Sequence, residues 1–141
     1  MKVLVDTSVI VDIDRGKQEV IEVCRKLTSD REAYVSAVTV SEILTGSYLR
    51  EDYRKSVAKA KRVLGQFSWV SLDGQVAEKI AQLSSYLISR GQPVEYQDQA
   101  IAASCLVIEC DFLLTNNKEH FKRIPALKNK VLTPLELRNN V

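Results

Sequence analysis

Short apolar runs that stop abruptly at polar turns, each followed by residues at helical spacing, constrain this chain more than any other feature. Residues 2–5 form the first such run, and Asp6-Thr7-Ser8 ends it in a helix-starting turn. Tyr34 to Val38, Trp69 to Leu72 and Phe112 to Thr115 read as further strands, with Val131-Leu132 as a last one. Between them, apolar residues recur with the helical period over Val9–Arg15 (closed by Gly16), Glu19–Thr28, Ser41–Leu49, 51–67 and Gln75–Arg90. Gln97 to Cys110 is different, being apolar nearly all round and rich in small residues, as a helix buried in mid-domain should be. A brief helix is expected around His120 before Pro125, and a tail over Pro134–Leu137. Short apolar strands alternating with helices predict an α/β fold whose parallel sheet is covered on both faces. Ligand sites in such sheets lie beyond the carboxyl ends of the strands, near a topological switch point.

The 141 residues contain no repeat, linker or low-complexity segment, so a single domain over 1–141 is expected. No stretch approaches the roughly 18 apolar residues of a membrane span. Asp6 breaks the N-terminal apolar run too early for a signal peptide, and a cytoplasmic location is expected. Cys24, Cys105 and Cys110 lie in apolar helical patterns without a CxxC pair, so buried, reduced thiols are expected rather than a zinc site. A formal net charge of +2 does not by itself argue for nucleic acid.

Four polar residues stand where strands end and helices begin. Asp6 follows the first strand and can serve as a helix N-cap. Glu42 fits a capping box with Thr39, its carboxylate reaching back to the Thr39 N–H. Asp98 opens the most apolar helix, where an unpaired dry carboxylate would be costly. Asn117 ends the fourth strand in an Asn-Asn pair that turn chemistry also explains. Each has an ordinary structural role open to it; together they come from separate junctions and fall where the sheet rule expects a ligand. Like-charged carboxylates held close repel unless a cation neutralises them, and hard divalent ions take oxygen ligands.

Val3-Leu4-Val5-Asp6-Thr7-Ser8, Ser41-Glu42, Asp98-Gln99-Ala100-Ile101-Ala102-Ala103 and Leu114-Thr115-Asn116-Asn117-Lys118-Glu119-His120-Phe121, in this order, resemble the PIN-domain nucleases. The VapC toxins of toxin–antitoxin pairs are especially similar, over nearly the whole chain from Lys2 to about Leu137. The resemblance implies a three-layer α/β/α fold around a mostly parallel sheet and a magnesium- or manganese-dependent endoribonuclease leaving 5′-phosphate and 3′-hydroxyl ends. It implies that Asp6, Glu42 and Asp98 bind the metal, and that Ser8, or less often Thr7, positions the first of them. Asn117 matches a fourth position that is often Asp in the family, which lowers the charge of the site and leaves open whether a second metal binds. His120 falls where such sequences often carry Asp or His. The resemblance also implies an RNA substrate, a VapB-like antitoxin and a homodimer.

RNA needs positive surface. Arg50, Arg54, Lys55, Lys59, Lys61 and Arg62 supply one stretch, and Lys118, Lys122, Arg123, Lys128 and Lys130 another. Both also read as solvated faces. The second begins beside Asn117, so Lys118, His120, Lys122 and Arg123 are the candidates for an RNA-guiding rim. Tyr53 and Tyr96 are candidates for stacking on bases. Asp12-Ile13-Asp14 imitates a phosphatase DxD but lies within a helical stretch, and the lone histidine supports no Ser-His-Asp triad. The remaining alternative is a degenerate nuclease that binds RNA or a protein partner without cutting.

Overall fold

Five parallel strands form the central sheet in the order β3-β2-β1-β4-β5 in a computed structural model that describes residues 1–140. The strands are β1 (Val3–Val5), β2 (Ala33–Ser36), β3 (Ser68–Val70), β4 (Phe112–Leu114) and β5 (Val131–Leu132). Leu4 pairs with Tyr34 on one side and Leu113 on the other, which puts β1 at the centre, fully buried. The chain runs outward from β1 through β2 to β3, then returns across β1 to β4 and continues to β5. The switch point therefore lies between β1 and β4, where the Asp6 N–H donates to the Leu114 carbonyl at 2.9 Å.

Successive strand residues face opposite sides, so β1 feeds two cores. Val3 and Val5 join a core with residues of α1 (Thr7–Asp14), α2 (Gln18–Ser29), α3 (Ala37–Tyr48), α4 (Tyr53–Leu64) and α7 (Pro134–Asn140). Leu4 and Leu113 join the other, with α5 (Gly74–Ser89) and α6 (Tyr96–Val107). This is the three-layer arrangement expected. Residues Gln99 to Cys105 of α6 are all buried, which accounts for that segment's lack of a polar face.

Several expectations need correction. The second strand stops at Ser36, not Val38, because the Ser36 hydroxyl accepts the Val38 N–H at 3.2 Å and caps α3 there. Thr39 and Glu42 consequently lie inside α3, and the capping box between them does not form. Such a box forms instead at Thr133–Glu136: the Thr133 N–H donates to Glu136 Oε1 and the Glu136 N–H to Thr133 Oγ1, each at 3.1 Å. It starts α7, so the expected tail is a helix that buries Leu137. The long helix expected over 51–67 is confined to Tyr53–Leu64.

All three cysteines are buried, but only Cys24 is free; burial pushes its thiol pKa up to about 12. Cys105 and Cys110 form a disulfide, contrary to the expectation of reduced thiols. The cause is the way α6 ends. Glu109 adopts a left-handed φ of 55°, the Cys110 N–H donates to the Cys105 carbonyl at 2.9 Å, and the Glu109 N–H donates to Leu106 at 3.2 Å. This is a Schellman turn, which folds the residue after the reversal onto the one five places earlier. Among the described residues, no helix is long and apolar enough to cross a membrane.

Candidate active site

Asp6 occupies the N-cap position of α1, yet its side chain caps nothing. Its Oδ2 accepts from Ser8 Oγ at 2.8 Å and from Thr115 Oγ1 at 2.7 Å, in a nearly buried setting. Each hydroxyl has one proton, and both are committed to Asp6. The hydroxyl lone pairs then accept backbone donors of the next loop: Asn116 N–H to Ser8 Oγ at 3.0 Å, and Asn117 N–H to Thr115 Oγ1 at 2.9 Å. The Asn116 side chain adds donations to Asp12 Oδ2 at 2.8 Å and to the Ser8 carbonyl at 3.4 Å. Four of these bonds, from Thr115 to Asp6 and from Asn116 to Ser8 and Asp12, lock the exit of β4 to the first turns of α1.

Glu42 reaches the same region from α3. Thr7 Oγ1 donates to Glu42 Oε1 at 2.8 Å, so in the 2.9 Å contact between Thr7 and Thr39 the Thr39 hydroxyl is the donor. Burial raises the pKa of Glu42; the Thr7 bond opposes this, and the charges of Asp6 and Asp98 push it further up. Asp98 sits in the first turn of α6, whose N-cap is Glu95, and its Oδ2 lies 3.0 Å from His120 Nδ1. Burial also raises the pKa of Asp98; His120 opposes the rise, while Asp6 and Glu95 add to it. The charges of Asp6 and Asp98 thus bear on Glu42, and that of Asp6 on Asp98, beside the β1/β4 switch point. The three carboxylates do not form a closed cage: among the described residues, no three His, Cys, Asp or Glu side chains stand close enough to make a ready-built metal site.

Asn117 is exposed at the head of the 3-10 turn Lys118–His120. The cations of the anticipated rim are engaged locally. Lys118 pairs with Glu136 at 3.0 Å, Lys122 with Glu119 at 2.7 Å, and Arg123 donates to the Pro93 carbonyl at 2.8 Å. Asp12 and Asp14 lie within α1, as expected.

Thr39, Thr115, Asn116 and Asp12 belong to the site's framework, a role the sequence reading assigned to none of them. For Asp12 a signal exists, since Ser8 and Asp12 are four residues apart on α1 and share a helix face. Thr115 has none, because its hydroxyl role depends on β1 and β4 being neighbours.

A three-layer sandwich whose acidic side chains gather at the switch point of a parallel sheet defines the class of protein. The PIN domain family model matches residues 3–127, and the chain belongs to that family. It is 26% identical over 132 residues to the tRNA(fMet)-specific endonuclease VapC of Salmonella typhimurium, covering 91% of this chain and 96% of that protein. It is 27% identical over 132 residues to Ribonuclease VapC of Rickettsia bellii, covering 91% and 94%. In structure it resembles a chain of the DNA-bound VapBC complex of Salmonella typhimurium, with a TM-score of 0.86, 23% identity, and coverage of 95% and 98%.

Proposed function

We propose that this chain is a divalent-metal-dependent endoribonuclease, the toxin of a VapBC-type toxin–antitoxin pair, acting in the cytoplasm. One observation carries the reading: Asp6, Glu42 and Asp98 come from three separate elements and lie near enough that the charges of Asp6 and Asp98 oppose the ionisation of Glu42, and that of Asp6 opposes the ionisation of Asp98. The names of the Salmonella and Rickettsia relatives support the ribonuclease assignment, and the VapBC complexes among the similar structures support a VapB-like partner.

The donor chemistry fits magnesium or manganese. Magnesium characteristically uses one or two carboxylates together with waters and substrate phosphate, so an open acidic trio suits it better than a closed cage would. Asp6, Glu42 and Asp98 would hold the ion, with the exposed Asn117 amide at the rim. Bound there, the ion supplies Lewis-acid activation of water and neutralises charge at the phosphodiester. Ser8 and Thr115 hold the Asp6 carboxylate in one orientation, and Thr7, backed by Thr39, does the same for Glu42. His120 holds Asp98 through Nδ1. Hydrolysis by metal-activated water needs no covalent nucleophile, and Ser8 is assigned only the positioning of Asp6. A homodimer is part of the proposal by similarity to the family.

Purified protein incubated with structured RNAs tests the reading. Cutting is expected with magnesium or manganese, none with EDTA, and a loss of about 100-fold or more in Asp98→Asn. Folded protein that binds RNA but never cuts it would favour a degenerate binding module.

A further inference from the structure

Beside Asp98 the surface folds into a cleft of about 420 Å³, a volume typical of small-ligand sites. Pro93, Val94, Glu95 and Tyr96 line it from the loop entering α6, and Glu119, His120 and Arg123 from the segment after β4. It opens directly onto the proposed active site, since Asp98 and His120 belong to both. Its two walls are tied together at both levels: Arg123 Nη1 donates to the Pro93 carbonyl at 2.8 Å, and His120 meets Asp98 at 3.0 Å. The cleft is therefore braced by contacts that involve no ligand.

The wall chemistry discriminates among the parts of a nucleotide. Glu95, Asp98 and Glu119 make the cleft unfavourable for a phosphate, and the Arg123 guanidinium already serves the Pro93 carbonyl. Pro93 and Val94 offer apolar surface, and the Tyr96 side chain is 57% exposed at the first position of α6. A flat, uncharged group fits such surroundings. Glu95, which makes no side-chain bond to the helix it caps, adds an acceptor for an exocyclic amino group. Sequence-reading of RNA commonly targets unpaired bases, stacked on aromatic rings and bonded at their edges.

From this arrangement we infer that the cleft is a base-binding subsite: it holds one unpaired nucleobase next to the scissile phosphodiester, stacked on Tyr96. The inference rests on the ribonuclease reading and specifies how that site selects single-stranded RNA. Tyr96 is exposed and at a helix start, so Tyr96→Ala and Tyr96→Phe should both fold as the parent does, which thermal unfolding verifies.

The test is binding of a fluorescent unstructured oligoribonucleotide in EDTA, followed by its cleavage in manganese. Tyr96→Ala should weaken binding by about 10-fold, the usual scale for one lost stacking contact, whereas Tyr96→Phe should stay within about 2-fold of wild type. Abasic substitution should reproduce the loss at one position in the wild type and cost nothing further in Tyr96→Ala, which assigns the base to the ring. In cleavage, Tyr96→Ala should raise KM and leave kcat nearly unchanged. Equal binding by Tyr96→Ala and wild type overturns the subsite, as does an abasic penalty of the same size in both, even if metal-dependent cutting is intact. Coupling between Tyr96 and one base without cutting under any condition would keep the subsite and overturn the nuclease reading. A protein that neither binds nor cuts the oligonucleotide, including one whose Tyr96 serves a protein partner, would overturn both.

Discussion

Replacing Glu42 by Gln should make the metal-free protein more stable and the enzyme nearly inactive. The Glu42 carboxylate is half-buried in α3 and ionises against both its burial and the charges of Asp6 and Asp98. Gln keeps the bond from Thr7, now 2.8 Å to Oε1, because an amide oxygen accepts as a carboxylate oxygen does. What is lost is only the charge. For a group this exposed to solvent, relief of the burial penalty and of the like-charge repulsion together is worth about 0.5–1 kcal/mol after screening. In a domain of this size that raises the Tm by about 2–5 °C in EDTA at pH 7.5. The sign fixes the pH dependence. A carboxylate whose folded pKa is raised above its ordinary 4.5 costs stability when charged, a cost fully present above the folded value and absent below the unfolded one. The advantage of Glu42→Gln should therefore shrink as the pH falls from neutrality and vanish near pH ~4. Millimolar magnesium should reverse the order, because an ion that binds the native trio stabilises wild type and loses a ligand in the variant. Thermal unfolding of both proteins, with EDTA and with magnesium at two pH values, reads all of this. A Glu42→Gln protein less stable than wild type in EDTA at neutral pH, or equally stabilised by magnesium, would refute the reasoning.

Two further substitutions address the framework. Thr115→Val removes a buried hydroxyl that donates to Asp6 and accepts from Asn117, so it should cost about 1–3 kcal/mol in denaturant unfolding and lower RNA cleavage by about 10- to 100-fold. Ser36→Ala deletes the cap of α3 and the partner of the buried Ser104 hydroxyl at 3.2 Å; a loss of about 1–2 kcal/mol is expected, with metal-dependent cleavage retained when the protein is assayed well below its Tm.

The centre of the sheet was legible because β1 and β4 are short, wholly apolar and ended by polar turns, Val3–Val5 before Asp6 and Phe112–Leu114 before Thr115, whereas β3 lies at Ser68–Val70 and not at the expected Trp69–Leu72. The start of α3 was not. Tyr34-Val35-Ser36-Ala37-Val38 carries β-branched residues that suit a strand, and Ser36 acts as a cap only where the chain has already left the sheet. Moving the N-cap three residues, from Thr39 to Ser36, takes Glu42 from a first-turn position, where a dipole explains an acid, into the helix body, where only Thr7 and its acidic neighbours do. The reverse holds at the end of the chain, where Thr133-Pro134-Leu135-Glu136 carries a legible capping box. The Cys105–Cys110 pairing depends on a left-handed Glu109, a conformation that glycine advertises and glutamate does not.

The side chains holding the acidic trio are mostly neutral, and that choice has an electrostatic consequence. A lysine or arginine would fix a carboxylate in place and also cancel its charge. Hydroxyls fix the geometry and leave the charge to act outward: Ser8 and Thr115 on Asp6, and Thr7 on Glu42. Among the described residues no lysine or arginine forms a salt bridge with Asp6, Glu42 or Asp98. Nearby lysines are directed elsewhere, Lys17 towards Asp12 and Glu19, Lys118 to Glu136 and Lys122 to Glu119. His120, through Nδ1, is the one basic side chain among the described residues that pairs with a member of the trio. These hydrogen bonds thus orient Asp6, Glu42 and Asp98 without pairing any of them to a lysine or arginine among the described residues, with His120 beside Asp98 as the partial exception, an arrangement that suits the proposed divalent cation.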